Sequence, residues 1–131
     1  MHYLGILLAA AAMFGVGSVW YSPVLFAKAW TRGAGLDPNQ KPDGQAMAKT
    51  FGATFVLLLV CATVLDILIS NSTAGEGILH GLFMGFLGGV IATAITAINH
   101  LFEKKSLTLF LINAGYDLIG FCLMGVILSL L

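Results

Sequence analysis

Four long apolar runs divide this chain, and its polar residues collect between them. The runs are Tyr3 to Tyr21, Ala46 to Ser70, Gly77 to Phe102 and Leu107 to Leu131. A helix crossing the ~30 Å hydrocarbon core needs about 20 mainly apolar residues, because each adds ~1.5 Å. All four runs meet that length. None alternates polar and apolar positions, as the strands of a membrane barrel would. The pattern predicts an all-α membrane protein, a bundle of four transmembrane helices forming a single domain over residues 1–131.

The first connection adds one element. The stretch SPVLFAKAW places Val24, Leu25, Phe26 and Trp30 around Lys28, directly after Pro23. Proline suits the first turn of a helix, so a short interfacial helix lying on the inner leaflet is expected here. GAGLDPNQKPDGQ then reads as a turn-rich, wet loop. The start, MHYLGILLAAAAMF, has no Lys or Arg ahead of the apolar run. A secretory signal wants a basic start and a short apolar segment, so the first run is read as a retained span.

Composition agrees with lipid as the main partner. The chain is 59% hydrophobic and 9% charged, against about 25% charged in soluble domains. A formal net charge of zero lacks the basic footprint of a nucleic-acid binder, and no nucleic-acid partner is expected. Charge also orients the bundle. Lys28, Arg32, Lys41 and Lys49 flank the first loop, Lys104 and Lys105 fill the third, and the second carries only Glu76. Basic residues stay on the cytoplasmic side. Loops one and three should lie inside and both termini outside, with Trp20, Tyr21 and Trp30 as inner-interface anchors. Cys61 and Cys122 lie within apolar runs and read as small packing residues.

Helices in lipid associate through close approach at small residues and through polar contacts. Gly81, Gly85 and Gly89 recur every four residues in the third run, and Gly120 and Gly125 mark the fourth. These predict tight helix–helix faces. Four short helices bury little alone, so a homodimer is expected.

The remaining polar residues are the candidate chemistry. Asp117 lies ten residues into the fourth run, about 15 Å deep by helical rise. An ionised Asp at the centre of a membrane helix costs about 2.5 to 3.5 kcal/mol on insertion scales. Asn113, Tyr116, Asp117 and Gly120 are spaced to share one helical face, which should turn inward. Asp117 is then either a tie between helices or a proton-coupled or ligand-binding carboxylate. Asn99 and His100 sit at the inner end of the third run, where a contact with Asn113 or Tyr116 is expected across the short loop. His100 and Glu103 alone fall short of a zinc ligand set, so no metal or other cofactor is expected. At the outer ends, Asp66, Glu76 and His80 read as solvated helix ends, with a proton or cation entry site as the alternative. No nucleophile–base–acid set has a recognisable spacing, so an enzyme is not expected.

Two stretches carry a family resemblance. GVGSVWYSPVLFAKAW contributes Trp20, Tyr21, Ser22, Pro23, Phe26, Lys28 and Trp30. NHLFEKKSLTLFLINAGYDL contributes Asn99, Leu101, Phe102, Glu103, Ile112, Asn113, Gly115 and Tyr116. Together they resemble the uncharacterised bacterial membrane family called domain of unknown function 1761, over nearly the whole chain. The resemblance implies a four-helix protein of the bacterial inner (cytoplasmic) membrane. It implies no activity, and its matched positions include Asn113 and Tyr116 but not Asp117.

The functional expectation is a small transporter-like or ligand-binding membrane protein with an unidentified small-molecule ligand. Its polar cluster would comprise Trp20, Tyr21, Asn99, His100, Asn113, Tyr116 and Asp117. The alternative is a structural or accessory subunit in which these residues only tie helices together.

Overall fold

The computed structural model describes residues 3–21, 44–72, 75–103 and 106–130. They form α1 (Tyr3–Trp20), α2 (Gly44–Asn71), α3 (Gly77–Glu103) and α4 (Leu107–Leu130). Each is long and apolar enough to cross a membrane, and the four make a helical bundle. Boundaries fall within two residues of the apolar runs. The interfacial helix expected after Pro23, with Lys28 and Trp30, lies outside the described residues.

Local signals set the helix ends. Ser106 caps α4: its Oγ accepts from the Leu109 N–H at 3.1 Å, satisfying one of the four donors a helix start leaves open. Gly77 opens α3 with φ +84°, a left-handed conformation that costs glycine little and other residues more.

The antiparallel pair α3–α4 is the tightest contact, and glycine creates it. A Cβ at Gly81 would run into the Gly125 carbonyl oxygen, and one at Gly85 into the Phe121 carbonyl oxygen. At Gly89 it would sit 3.2 Å from the Leu118 Cα. The two backbones therefore touch, as the four-residue glycine spacing predicts. α1 packs on α4 and on α2, while α2 meets α3 and α4 only sparsely. An apolar core joins Ile6, Ala9, Ala10 and Met13 of α1 to Leu58, Ala62 and Leu65 of α2 and to Met124 and Leu128 of α4. α3 adds no large buried apolar side chain; its buried residues are glycines and two histidines. Its outer face instead presents Leu79, Ile91, Leu101 and Phe102, suited to contact with lipid.

One expectation changes. Asp66 and His80, read from sequence as solvated helix ends, are 2% and 9% exposed. Asp66 continues the buried stripe of Leu58, Ala62 and Leu65 along α2, so the packed face carries it inward. Glu76 is exposed.

Candidate functional site

The half of the bundle nearest the α3–α4 loop holds a connected polar cluster. Its core is the α3–α4 hairpin. The short loop fixes the register, and residues a turn apart on one helix meet residues a turn apart on the other. Asn113 Nδ2 lies 3.3 Å from His100 Nε2. One turn deeper, Thr96 Oγ1 donates to Asp117 Oδ2 at 2.9 Å.

α1 closes the cluster from the other side. Trp20 Nε1 donates to the Ile112 carbonyl at 2.9 Å. The Tyr21 hydroxyl donates to Asn113 Oδ1 at 2.7 Å, and the Tyr116 hydroxyl donates to the Met13 carbonyl at 2.9 Å. The Tyr21 and Tyr116 rings meet edge to face with centroids 5.5 Å apart. Two glycines make room for these rings. A Cβ at Gly115 would lie 2.8 Å from Trp20 Cζ2, and one at Gly17 would lie 2.9 Å from the Tyr116 hydroxyl oxygen.

The hydrogen bonds assign the histidine. Asn113 Oδ1 accepts from Tyr21, so its amide group is the donor toward His100 Nε2. The neutral imidazole then carries its proton on Nδ1. That Nδ1 is buried and has no hydrogen-bond partner among the described residues; the ring rests edge to face on Phe110 at 5.8 Å. The Thr93 hydroxyl, one turn from Thr96, is likewise buried with no partner among the described residues.

Asp117 differs from its neighbours. Thr96 is its one hydrogen-bond donor among the described residues, and the side chain stays half-buried. It lies within electrostatic reach of Tyr21, one residue past α1, and of Cys61 on α2, His100 on α3 and Tyr116 on α4.

Of the residues named from sequence, Trp20, Tyr21, His100, Asn113, Tyr116 and Asp117 come together. Asn99 does not: it is exposed on α3, because the residue next to an inward His100 points about 100° away. Asp66 and His80 are each buried toward the other end of the bundle, and His80 Nε2 has no hydrogen-bond partner among the described residues. Thr96 and the Met13 and Ile112 carbonyls join the site without having been named as candidates. Thr96 was within reach of the spacing: it stands four residues before His100, as Asp117 stands four after Asn113. Among the described residues no three His, Cys, Asp or Glu side chains are grouped to hold a metal ion. Cys61 and Cys122 are free and half-buried.

The family model described as protein of unknown function DUF1761 matches residues 4–129. The chain belongs to this family. Neither a curated protein nor a solved structure matches it. The match spans every helix, so the Trp20–Ile112 and Tyr21–Asn113 bonds both lie within the family domain.

Proposed function

We propose that this family member is a small ligand-binding or transporter-like membrane protein, with Asp117 as the exchangeable group of its polar cluster. The observation that carries the reading is a contrast within the cluster. Trp20, Tyr21 and Tyr116 each close a hydrogen bond between α1 and α4. Asp117 receives a single neutral donor and remains half-buried. A carboxylate kept only to join helices would gain from further donors, since polar groups in hydrocarbon are costly unless satisfied. An under-bonded one keeps acceptor capacity for a further partner.

The same three α1–α4 bonds favour a second reading, a structural or accessory subunit. They explain Trp20, Tyr21, Asn113 and Tyr116 as ties and leave Asp117 without a role. The cellular setting belongs to the proposal: a bacterial inner membrane, both termini outward, and a second copy covering part of the apolar surface. The distribution of basic residues supports the orientation.

Infrared difference spectroscopy of the reconstituted protein, with Asp117→Asn as reference, tests the main reading. The expected result is a carboxyl band that appears and disappears as bulk pH crosses the neutral range. A band unchanged over that range contradicts it and leaves the tie.

A further inference from the structure

We propose that His100 is a pH switch for the C-terminal end of α1: its protonation breaks the hydrogen-bond chain Tyr21–Asn113–His100 and releases that end from α4. Asp117 is not a member of this chain, so the switch stands whether or not that carboxylate exchanges.

The chain has a direction. The Tyr21 hydroxyl donates to Asn113 Oδ1 at 2.7 Å, and Asn113 Nδ2 faces His100 Nε2 at 3.3 Å. An amide has one acceptor end and one donor end. With Oδ1 taken by Tyr21, Nε2 must accept. Only the neutral imidazole can do so, because both nitrogens of the charged ring are donors. One protonation state is therefore felt by α3 through His100, by α4 through Asn113, and by the end of α1 through Tyr21.

Protonation sets two donors against each other. His100 is 9% exposed and Asn113 half-buried, so the lost bond is not simply replaced by water and the unmade donors are costly. Turning the Asn113 amide end for end restores the His100 contact. Nδ2 then points at the Tyr21 oxygen, and the Tyr21 proton has lost its acceptor. Either way the Tyr21-to-Asn113 bond is gone. The consequence reaches Trp20. Its indole donates to the carbonyl of Ile112, the residue before Asn113, and lies against Gly115. Trp20 and Tyr21 are consecutive, so a displaced Tyr21 carries the indole with it.

The ring is placed to titrate. His100 stands one turn from the end of α3 at Glu103. Phe110, with its centroid 5.8 Å away, gives a charged ring an aromatic neighbour. Nδ1 has no hydrogen-bond partner among the described residues, so no second bond there opposes the change. Imidazoles ordinarily titrate between about pH 5 and 8. The neutral ring holds the chain, so the tie is present at high pH and lost as pH falls through that range.

Other titratable groups share the region. Glu103 follows His100 on α3, Tyr116 and Asp117 follow Asn113 on α4, and Tyr21 follows α1. α2, sparse against α3, carries Lys49 near its start and Cys61 at mid-helix. Lys104 and Lys105 lie outside the described residues, and every variant below keeps them.

The test is Trp20 emission in a Trp30→Phe background, with the full-length protein in lipid nanodiscs, from about pH 8 to about pH 5. A reversible shift to longer wavelength is expected as pH falls. His100→Gln should hold the high-pH spectrum throughout, because a glutamine offers Asn113 a carbonyl and takes up no proton. Tyr21→Phe should also lose the response, since Asn113 can then turn without stranding a hydroxyl. Direct quenching of the indole by an imidazolium would survive that change. Asp117→Asn and Glu103→Gln should keep the response. Nitrogen NMR of the histidine-labelled wild type decides the matter if a variant misfolds: one of the three histidines should carry its proton on Nδ1 alone at high pH and gain the second as pH falls. Flat emission, a response retained in His100→Gln or Tyr21→Phe, a response lost in Asp117→Asn or Glu103→Gln, or no histidine with that NMR pattern would overturn the switch.

Discussion

Single residues in this cluster divide by whether their bonds are complete. Asn113 joins Tyr21 to His100 through both ends of its amide, so Asn113→Leu strands two partners. Its expected cost is about 1–2 kcal/mol, read by reversible unfolding in mixed micelles; a cost near zero would show that the two contacts carry no weight. Gly115→Ala places a methyl against Trp20. The indole should move and lose the Ile112 carbonyl, shifting its fluorescence in a Trp30→Phe background. The spacing of Asn113, Tyr116 and Asp117 made their shared inward face readable from sequence. Backbone acceptors such as the Met13 carbonyl were not readable, because every residue has one and only the fold selects it. Asn99 misled for a related reason: polarity at a helix end says little about which way a side chain points.

Helices pair here by different means, and sequence shows those means unevenly. The four-residue glycine repeat of α3 announced a close neighbour, and α4 is that neighbour. Gly85→Ala pushes a Cβ into the backbone of α4, where nothing flexible can yield. A loss of about 1–3 kcal/mol is expected, typical of overpacking. Gly15→Ala, with nothing within 4 Å of the added methyl, should be neutral or stabilise by up to about 1 kcal/mol. Unfolding measurements on the pair check both; equal effects would contradict the packing account. The looseness of α2 left no comparable mark. α2 is as apolar as its neighbours, and hydropathy does not record which faces meet. The burial of Asp66 was hidden in the same way, since depth along a helix is legible while direction around it is decided by packing.

The whole molecule is the most legible scale. Run length gives four spans, and the two stretches around Trp20 and Asn113 carry a family resemblance that the match over residues 4–129 establishes. Orientation follows from loops alone: a reporter fused after Leu131 should be active only in its exported form, with the reverse result if loops one and three face out. Function is the least legible, because the proposed reading turns on one carboxylate, Asp117. If Asp117 is kept for an occupant, it adds nothing to the fold, and residues kept for function are often tolerated at a cost in stability. The most direct test is the unfolding free energy of Asp117→Leu against wild type in bicelles. The account predicts equal or greater stability, since Thr96 can turn its hydroxyl to its own helix while an under-bonded carboxyl leaves the membrane interior. A loss of more than about 1 kcal/mol, the scale of a hydrogen bond between membrane helices, would mean that Asp117 is a tie after all.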